Sequence, residues 1–216
     1  MHMTATDIWT LTSTALVLIM TPGLALFYGG LVRVRSVVNM MLFSVSAMGV
    51  VGMLWILIGY GMSSFPDGGG GFAGDPFAHF GLLATDPAEF IGIGFGAAFA
   101  MITTALISGA IADRVGLGSW VLFAGVWATL VYFPVAAWVW GGGWIMQLGT
   151  WLGTPDVIDL AGGTAIHINA GAAALALALV AGKRQGFAPG SHRPHSVPLV
   201  TIGAALLWFG WIGFNA

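Results

Sequence analysis

Cysteine is absent from this chain. That excludes a disulfide framework, a thiolate nucleophile and a zinc–thiolate site. Charge is nearly absent as well. Six Lys and Arg with eight Asp and Glu make up 6% of the residues, where a soluble globular domain carries about a quarter. So few charges cannot cover a water-facing surface, so the bilayer must be the solvent for most of the chain. The formal net charge of −2 argues against a nucleic acid partner, which would call for a basic face. A basic region before Ile8 is also missing. A cleavable signal peptide is therefore not expected, and Ile8 onward reads as a first span.

What the chain has instead is apolar length and glycine. Hydrophobic residues make up 58% and the mean hydropathy is +0.93. The 34 glycines suit a tightly packed membrane bundle, because small residues let helices approach closely. Six apolar runs predict spanning helices at about 8–32, 37–62, 90–112, 118–140, 161–181 and 197–216. Thr21, Pro22 and Gly23 interrupt the first run. A proline inside a helix removes a hydrogen bond, so a kink is expected there.

The loops alternate in charge. All six basic residues (Arg33, Arg35, Arg114, Lys183, Arg184 and Arg193) fall in the first, third and fifth loops, joined there by one acid, Asp113. The other acids (Asp7, Asp67, Asp75, Asp86, Glu89, Asp156 and Asp159) fall at the N-terminus and in the second and fourth loops. The positive-inside rule then predicts an external N-terminus and cytoplasmic basic loops. Gly68 to Gly71 and Gly141 to Gly143 lie in the long second loop and the fourth loop. No Lys-Ser or Lys-Thr follows either run, so they read as external turns rather than phosphate loops. His192 and His195 in the fifth loop are two histidines alone, and an ordinary solvated loop is the better reading than a metal site.

One residue stands out by depth. His167 lies inside the fifth run, and an ionisable side chain within a span marks a functional site by default. Gly163, His167 and Gly171 recur every four residues, so they share one helix face. The glycines are expected to admit another helix, leaving His167 to line a narrow space. The plainer alternative is a buried histidine bonded to a carbonyl on a neighbouring helix.

Four stretches resemble the ammonium transporter (Amt) family: Asp159 to Gly171, Met20 to Gly30, Val139 to Gly143, and Leu207 to Ala216. They occur in the family's order over essentially the whole chain. Ala161-Gly-Gly-Thr164 and His167-Ile-Asn-Ala-Gly171 are similar to the microbial and plant branch rather than the Rhesus branch. The resemblance implies an all-α, polytopic membrane protein, here the first five-helix inverted repeat plus the sixth helix of an eleven-helix fold. It implies an external N-terminus, a homotrimer with one pore per subunit, and a place in the plasma membrane. The second pore histidine and a serine expected just past Ala216 are not in this chain, which is expected to be the N-terminal part of a longer protein.

The function that the resemblance implies is ammonium transport, and the physical problem is selectivity. Potassium matches ammonium in size and charge, so a site must use what potassium lacks, a proton to give up. Aromatic faces and acceptors would stabilise the cation, and an apolar path would then pass the neutral molecule. By resemblance Trp140 recruits the cation, against the alternative of an interfacial belt tryptophan. Phe99 and Phe214 are expected to stack as a gate, against the alternative of ordinary core or lipid-facing rings. Gly96 stands beside Phe95 where some family members carry a polar residue. His167 is expected to be half of a twin-histidine pair, able to donate and accept. Asp159 is expected to start the fifth helix and shape the recruitment site from about 12 Å above His167, at 1.5 Å per residue. Its plainer role is helix capping with Thr164 nearby.

No cofactor and no metal are expected. A nitrogen-regulatory partner of the PII type is a candidate at the cytoplasmic exits. The alternative function is an ammonium sensor signalling through a cytoplasmic partner. An intramembrane enzyme is disfavoured, since no Ser/His/Asp set and no paired intramembrane carboxylates occur.

Overall fold

A computed structural model of the chain describes residues 3–66, 71–83, 85–184, 186 and 193–215. His192, Asp67 to Gly70 and Ala216 lie outside them. Among the described residues all regular structure is helical. Six helices are long and apolar enough to cross a membrane: α1 (Ala5–Leu31), α2 (Val34–Met62), α3 (Pro87–Ile111), α4 (Leu117–Val139), α5 (Gly163–Ala181) and α6 (Val197–Asn215).

Local chemistry sets the ends. Thr4 and Asp7 form a reciprocal capping box on α1: the Asp7 N–H donates to Thr4 Oγ1 at 3.1 Å and the Thr4 N–H to Asp7 Oδ2 at 2.8 Å. Asp86 Oδ1 accepts the Ala88 N–H at 2.8 Å and opens α3, with Pro87 in the first turn where its missing N–H costs nothing. These polar caps carry α1 and α3 a few residues outward of their apolar runs.

Two features add to the sequence reading. Helix α1 continues as one helix through Pro22, which a spanning helix tolerates where neighbours satisfy the freed backbone groups. The fourth loop also contains a five-residue helix, Leu148–Leu152, too short for apolar periodicity to reveal.

Helix α1 is the central post. It packs along α6 and also touches α2 and α3, while α2 packs on α3 and α4. Glycine makes the α1–α6 approach possible. A Cβ at Gly23 would sit 2.9 Å from Leu206 Cβ, and one at Gly213 would sit 2.7 Å from Leu16 Cβ. The core between α2, α3 and α4 holds Phe43, Trp120, Tyr132 and Phe133, all essentially buried. Buried indole N–H groups need acceptors, and each finds a carbonyl on another helix: Trp120 donates to Phe43 O at 2.8 Å and Trp55 to Ile93 O at 3.0 Å. Helices α5 and α6 are covered on one side only. Ile168, Leu179 and Trp208 lie open, a surface only lipid or further protein could cover.

At the end that carries the basic residues, Arg114 donates to Gly182 O at 2.5 Å and also to Ala110 O, and Arg184 pairs with Asp113 at 3.7 Å. These contacts tie the third loop to the end of α5.

Candidate functional site

The opposite end gathers residues from four helices. The organising group is the Asp159 carboxylate. Asp159 lies in the segment just before α5, which turns at Gly162 with φ of +72°. The carboxylate folds back over the helix start. Oδ1 accepts the Gly163 N–H at 2.8 Å; Oδ2 accepts those of Thr164 at 2.9 Å and Ala165 at 3.1 Å. The first N–H groups of a helix have no acceptor within it. An anion there is favoured by the helix dipole and by charge-assisted bonds. The helical rise from Asp159 to His167 that the sequence suggested therefore applies only from Gly163 on.

The backbone of Asp159 does a second job. Its carbonyl accepts the Trp140 indole N–H at 2.7 Å. Trp140 caps α4 and is 37% exposed. One residue thus fixes both the start of α5 and the edge of the Trp140 ring.

From Trp140 a file of rings leads inward. Trp140 and Phe99 have centroids 6.1 Å apart. Phe99 meets Phe95, one turn away on α3, at 4.6 Å and 76°, and meets Phe214 of α6 at 4.8 Å and 74°. Both are edge-to-face geometries that aromatic rings prefer. Phe99 and Phe214 are buried, at 8% and 5% exposure. Phe214 in turn lies 5.8 Å from the His167 ring. The structure therefore brings Trp140, Phe99, Phe214 and His167 into one line, with Asp159 beside its outer end.

Comparison with known proteins gives this file its context. The model of the Ammonium Transporter Family matches residues 8–216. The chain belongs to the ammonium transporter family. It is 52% identical to an ammonium transporter of Mycobacterium bovis over 96% of its own length and 49% of that protein's. The crystal structure of Candida albicans Mep2 superposes with a TM-score of 0.83 at 34% identity, covering 97% of this chain and 47% of that one. A structure described as a sensor Amt protein also scores 0.83, at 26% identity, with 97% and 53% covered. The chain spans about half the length of the curated relatives it matches. Family and six spanning helices together make it a multi-pass membrane protein.

The neighbour expected on the face of α5 that carries His167 is not among the described residues. The His167 side chain is exposed, and no helix packs on the glycine face: a Cβ at Gly171 would meet nothing within 4 Å, and one at Gly163 only the Asp159 carboxylate at 4.0 Å. Among the described residues the imidazole makes no hydrogen bond, so the plain reading of a carbonyl-bonded core histidine does not describe it. Besides Phe214 it has Trp211 as a companion, parallel to within 5° at 5.7 Å. Trp211 was not singled out in the sequence. The signal was there, because Trp211 and Phe214 are three apart and share a face of α6.

The first turns of α5, Gly163–Ile168, are π-helical, as are Trp55–Gly59 in α2 and Ala128–Tyr132 in α4. Wider turns of this kind occur often at functional sites. Here one of them contains His167. Sequence periodicity at 3.6 residues per turn gives no warning of them.

Proposed function

We propose that the protein containing this chain moves ammonium across the plasma membrane, with the recruiting mouth on the outer side. The observation that supports the reading is the continuous file Trp140–Phe99–Phe214–His167. Ammonium is drawn to the Trp140 face by cation–π attraction, worth about 0.5–2 kcal/mol according to how far the ion is desolvated. Asp159 holds that ring at its edge and biases the mouth toward cations without needing to touch the ion. The crossed rings of Phe99 and Phe214 close the path to a hydrated cation. Ammonium that gives up its proton there becomes neutral ammonia and passes the rings when they move, while the proton is relayed separately through the paired imidazoles. The ammonia so formed then meets His167, whose imidazole can donate and accept. Potassium has no proton to give and stays outside.

In this proposal the His167 face is covered by further protein carrying a second histidine, in an eleven-helix subunit of two inverted repeats. The N-terminus is external, the subunits form a homotrimer, and a PII-type protein is the candidate regulator. Likeness to a sensor Amt protein supports the second reading, an ammonium sensor. Transport is favoured, since the similarity to a named transporter reaches 52% identity. The test is uptake of ammonium by cells or vesicles carrying the whole protein, in potassium-rich buffer. Uptake that potassium does not compete for supports transport. Binding with no flux would favour the sensor.

A further inference from the structure

Beside the ring file lies a cavity of about 320 Å³ between α2, α3 and α4. Trp55, Tyr60, Tyr132 and Trp140 supply its rings, and Ser63 and Ser64 its hydroxyls. It shares Trp140 with the recruitment file but is not lined by Phe99 or Phe214.

The hydrogen-bond donors of this lining are largely committed to the protein. Trp55 donates to Ile93 O at 3.0 Å and Trp140 to Asp159 O at 2.7 Å. The Ser63 hydroxyl donates to Tyr60 O at 2.9 Å. The Tyr60 hydroxyl donates to Glu89 Oε2 at 2.5 Å, which brings a carboxylate to the rim. The lining then offers a guest ring faces and oxygen acceptors, the Ser64 and Tyr132 hydroxyls among them, with the Glu89 carboxylate just beyond Tyr60. A lining of that kind attracts cations and repels anions. Every Lys and Arg of the chain lies in the loops at the other end, and the titratable ring beside this lining is His79, 4.9 Å from the Tyr60 ring.

Glycine keeps the space open. A Cβ at Gly96 would come 2.6 Å from Trp55 Cζ2, so a larger residue there would push the indole aside. Gly92 also lines the cavity, and a Cβ there would meet nothing within 4 Å. The volume is roughly ten times the 30 Å³ share of one water. It therefore exceeds what ammonium alone would fill and admits a short alkyl group.

We propose that this cavity is a second cation site, taking ammonium or a small primary alkylammonium ion next to the recruitment file. Its role as an antechamber rests on the transport reading above; the binding itself does not. Trp140 is the shared wall, so an ion held here is one ring away from Phe99.

The experiment is equilibrium binding of radiolabelled methylammonium to the purified whole protein, counted per chain at saturation. Wild type is expected to bind at two events per chain. Gly92→Leu, whose Cβ meets nothing within 4 Å and whose side chain is added at the cavity wall, is expected to lose one and keep the other. Phe99→Ala is expected to lose the one that Gly92→Leu keeps. Tyr60→Phe keeps the ring but frees Glu89, and is expected to weaken the Gly92-sensitive event alone. It also carries the test should Gly92→Leu fail to fold. One event, sensitive to Phe99→Ala and indifferent to Gly92→Leu and Tyr60→Phe, overturns this inference and leaves the transport reading standing. One event with the opposite sensitivity supports this site and overturns recruitment at Phe99. No binding in wild type overturns both.

Discussion

Replacing Asp159 by Asn isolates the carboxylate's contribution with almost no change of shape. The carboxylate accepts three N–H groups, one on Oδ1 and two on Oδ2. An amide oxygen can keep the pair from Thr164 and Ala165, now without charge assistance. The amide NH2 must then face the Gly163 N–H, donor against donor. A hydrogen bond to a charged group is worth about 1.5–3 kcal/mol and a neutral one about 1. Loss of one bond and weakening of two would give several kcal/mol if water could not reach the site. Asp159 is only half-buried, and water will replace part of the loss, so about 2 kcal/mol is the expected cost. That corresponds to about a 30-fold rise in local opening, at 1.4 kcal/mol per tenfold. Hydrogen–deuterium exchange read by mass spectrometry is the assay, because local opening is what it measures. Peptides covering Gly163 to Ala165 are expected to exchange about 30-fold faster in Asp159→Asn, with α2 and α3 unchanged. Unaltered exchange at the start of α5, or acceleration spread evenly over all the helices, would refute the reasoning.

Other outcomes follow from the same geometry. Phe214→Ala removes the ring between Phe99 and His167 and is expected to admit potassium, seen as a potassium current in proteoliposomes that wild type lacks. Gly210→Val drives a side chain into Met20 and Leu16 of α1 and is expected to destabilise by about 1–3 kcal/mol or more, read as a lower Tm in detergent. Gly171→Leu meets nothing in this chain but occupies the face that the proposal covers with further protein. It is expected to abolish flux in the whole protein. The Thr150 hydroxyl and N–H both donate to Asp156 Oδ1, at 2.7 and 2.8 Å, and hold that carboxyl below its usual range, the hydroxyl contributing most. Because the folded value is depressed, the stabilisation of this turn is present above the ordinary carboxylate value and lost as pH falls through the lower one. Proteolysis of residues 148–156 is expected to quicken only in that acid window, and to become pH-independent there in Asp156→Asn.

The architecture was readable because bilayer physics leaves few choices. A run of about 20 apolar residues in such a chain has to be a helix, and six runs gave six helices. The details of the ends were less legible. Asp159 could be placed at the outer start of α5, but the turn at Gly162 with its positive φ, across which the carboxylate reaches, could not be read. Pro22 lies inside α1, as the single first span allowed. The π-helical turns depend on tertiary packing and have no pattern of their own. In the candidate site, Phe99, Trp140 and Phe214 could be named from motifs, while their ring geometry comes from the glycine-mediated approach of α6 to α1. Trp211 escaped notice because the chain has 10 Trp, and nothing but its register with Phe214 set it apart. The face of His167 lies open among the described residues, because Gly163 and Gly171 prepare it for a neighbour that these residues do not supply.

The central claim is that the ring file leading to His167 passes ammonium by taking its proton and so excludes potassium. The most direct measurement is flux into proteoliposomes of the whole protein under equal inward gradients of ammonium and of potassium, for wild type and His167→Phe. The account predicts ammonium flux with no potassium flux in wild type, and loss of ammonium flux when the imidazole is replaced by a ring that can neither donate nor accept. Equal passage of potassium by wild type, or undiminished ammonium flux in His167→Phe, would contradict it.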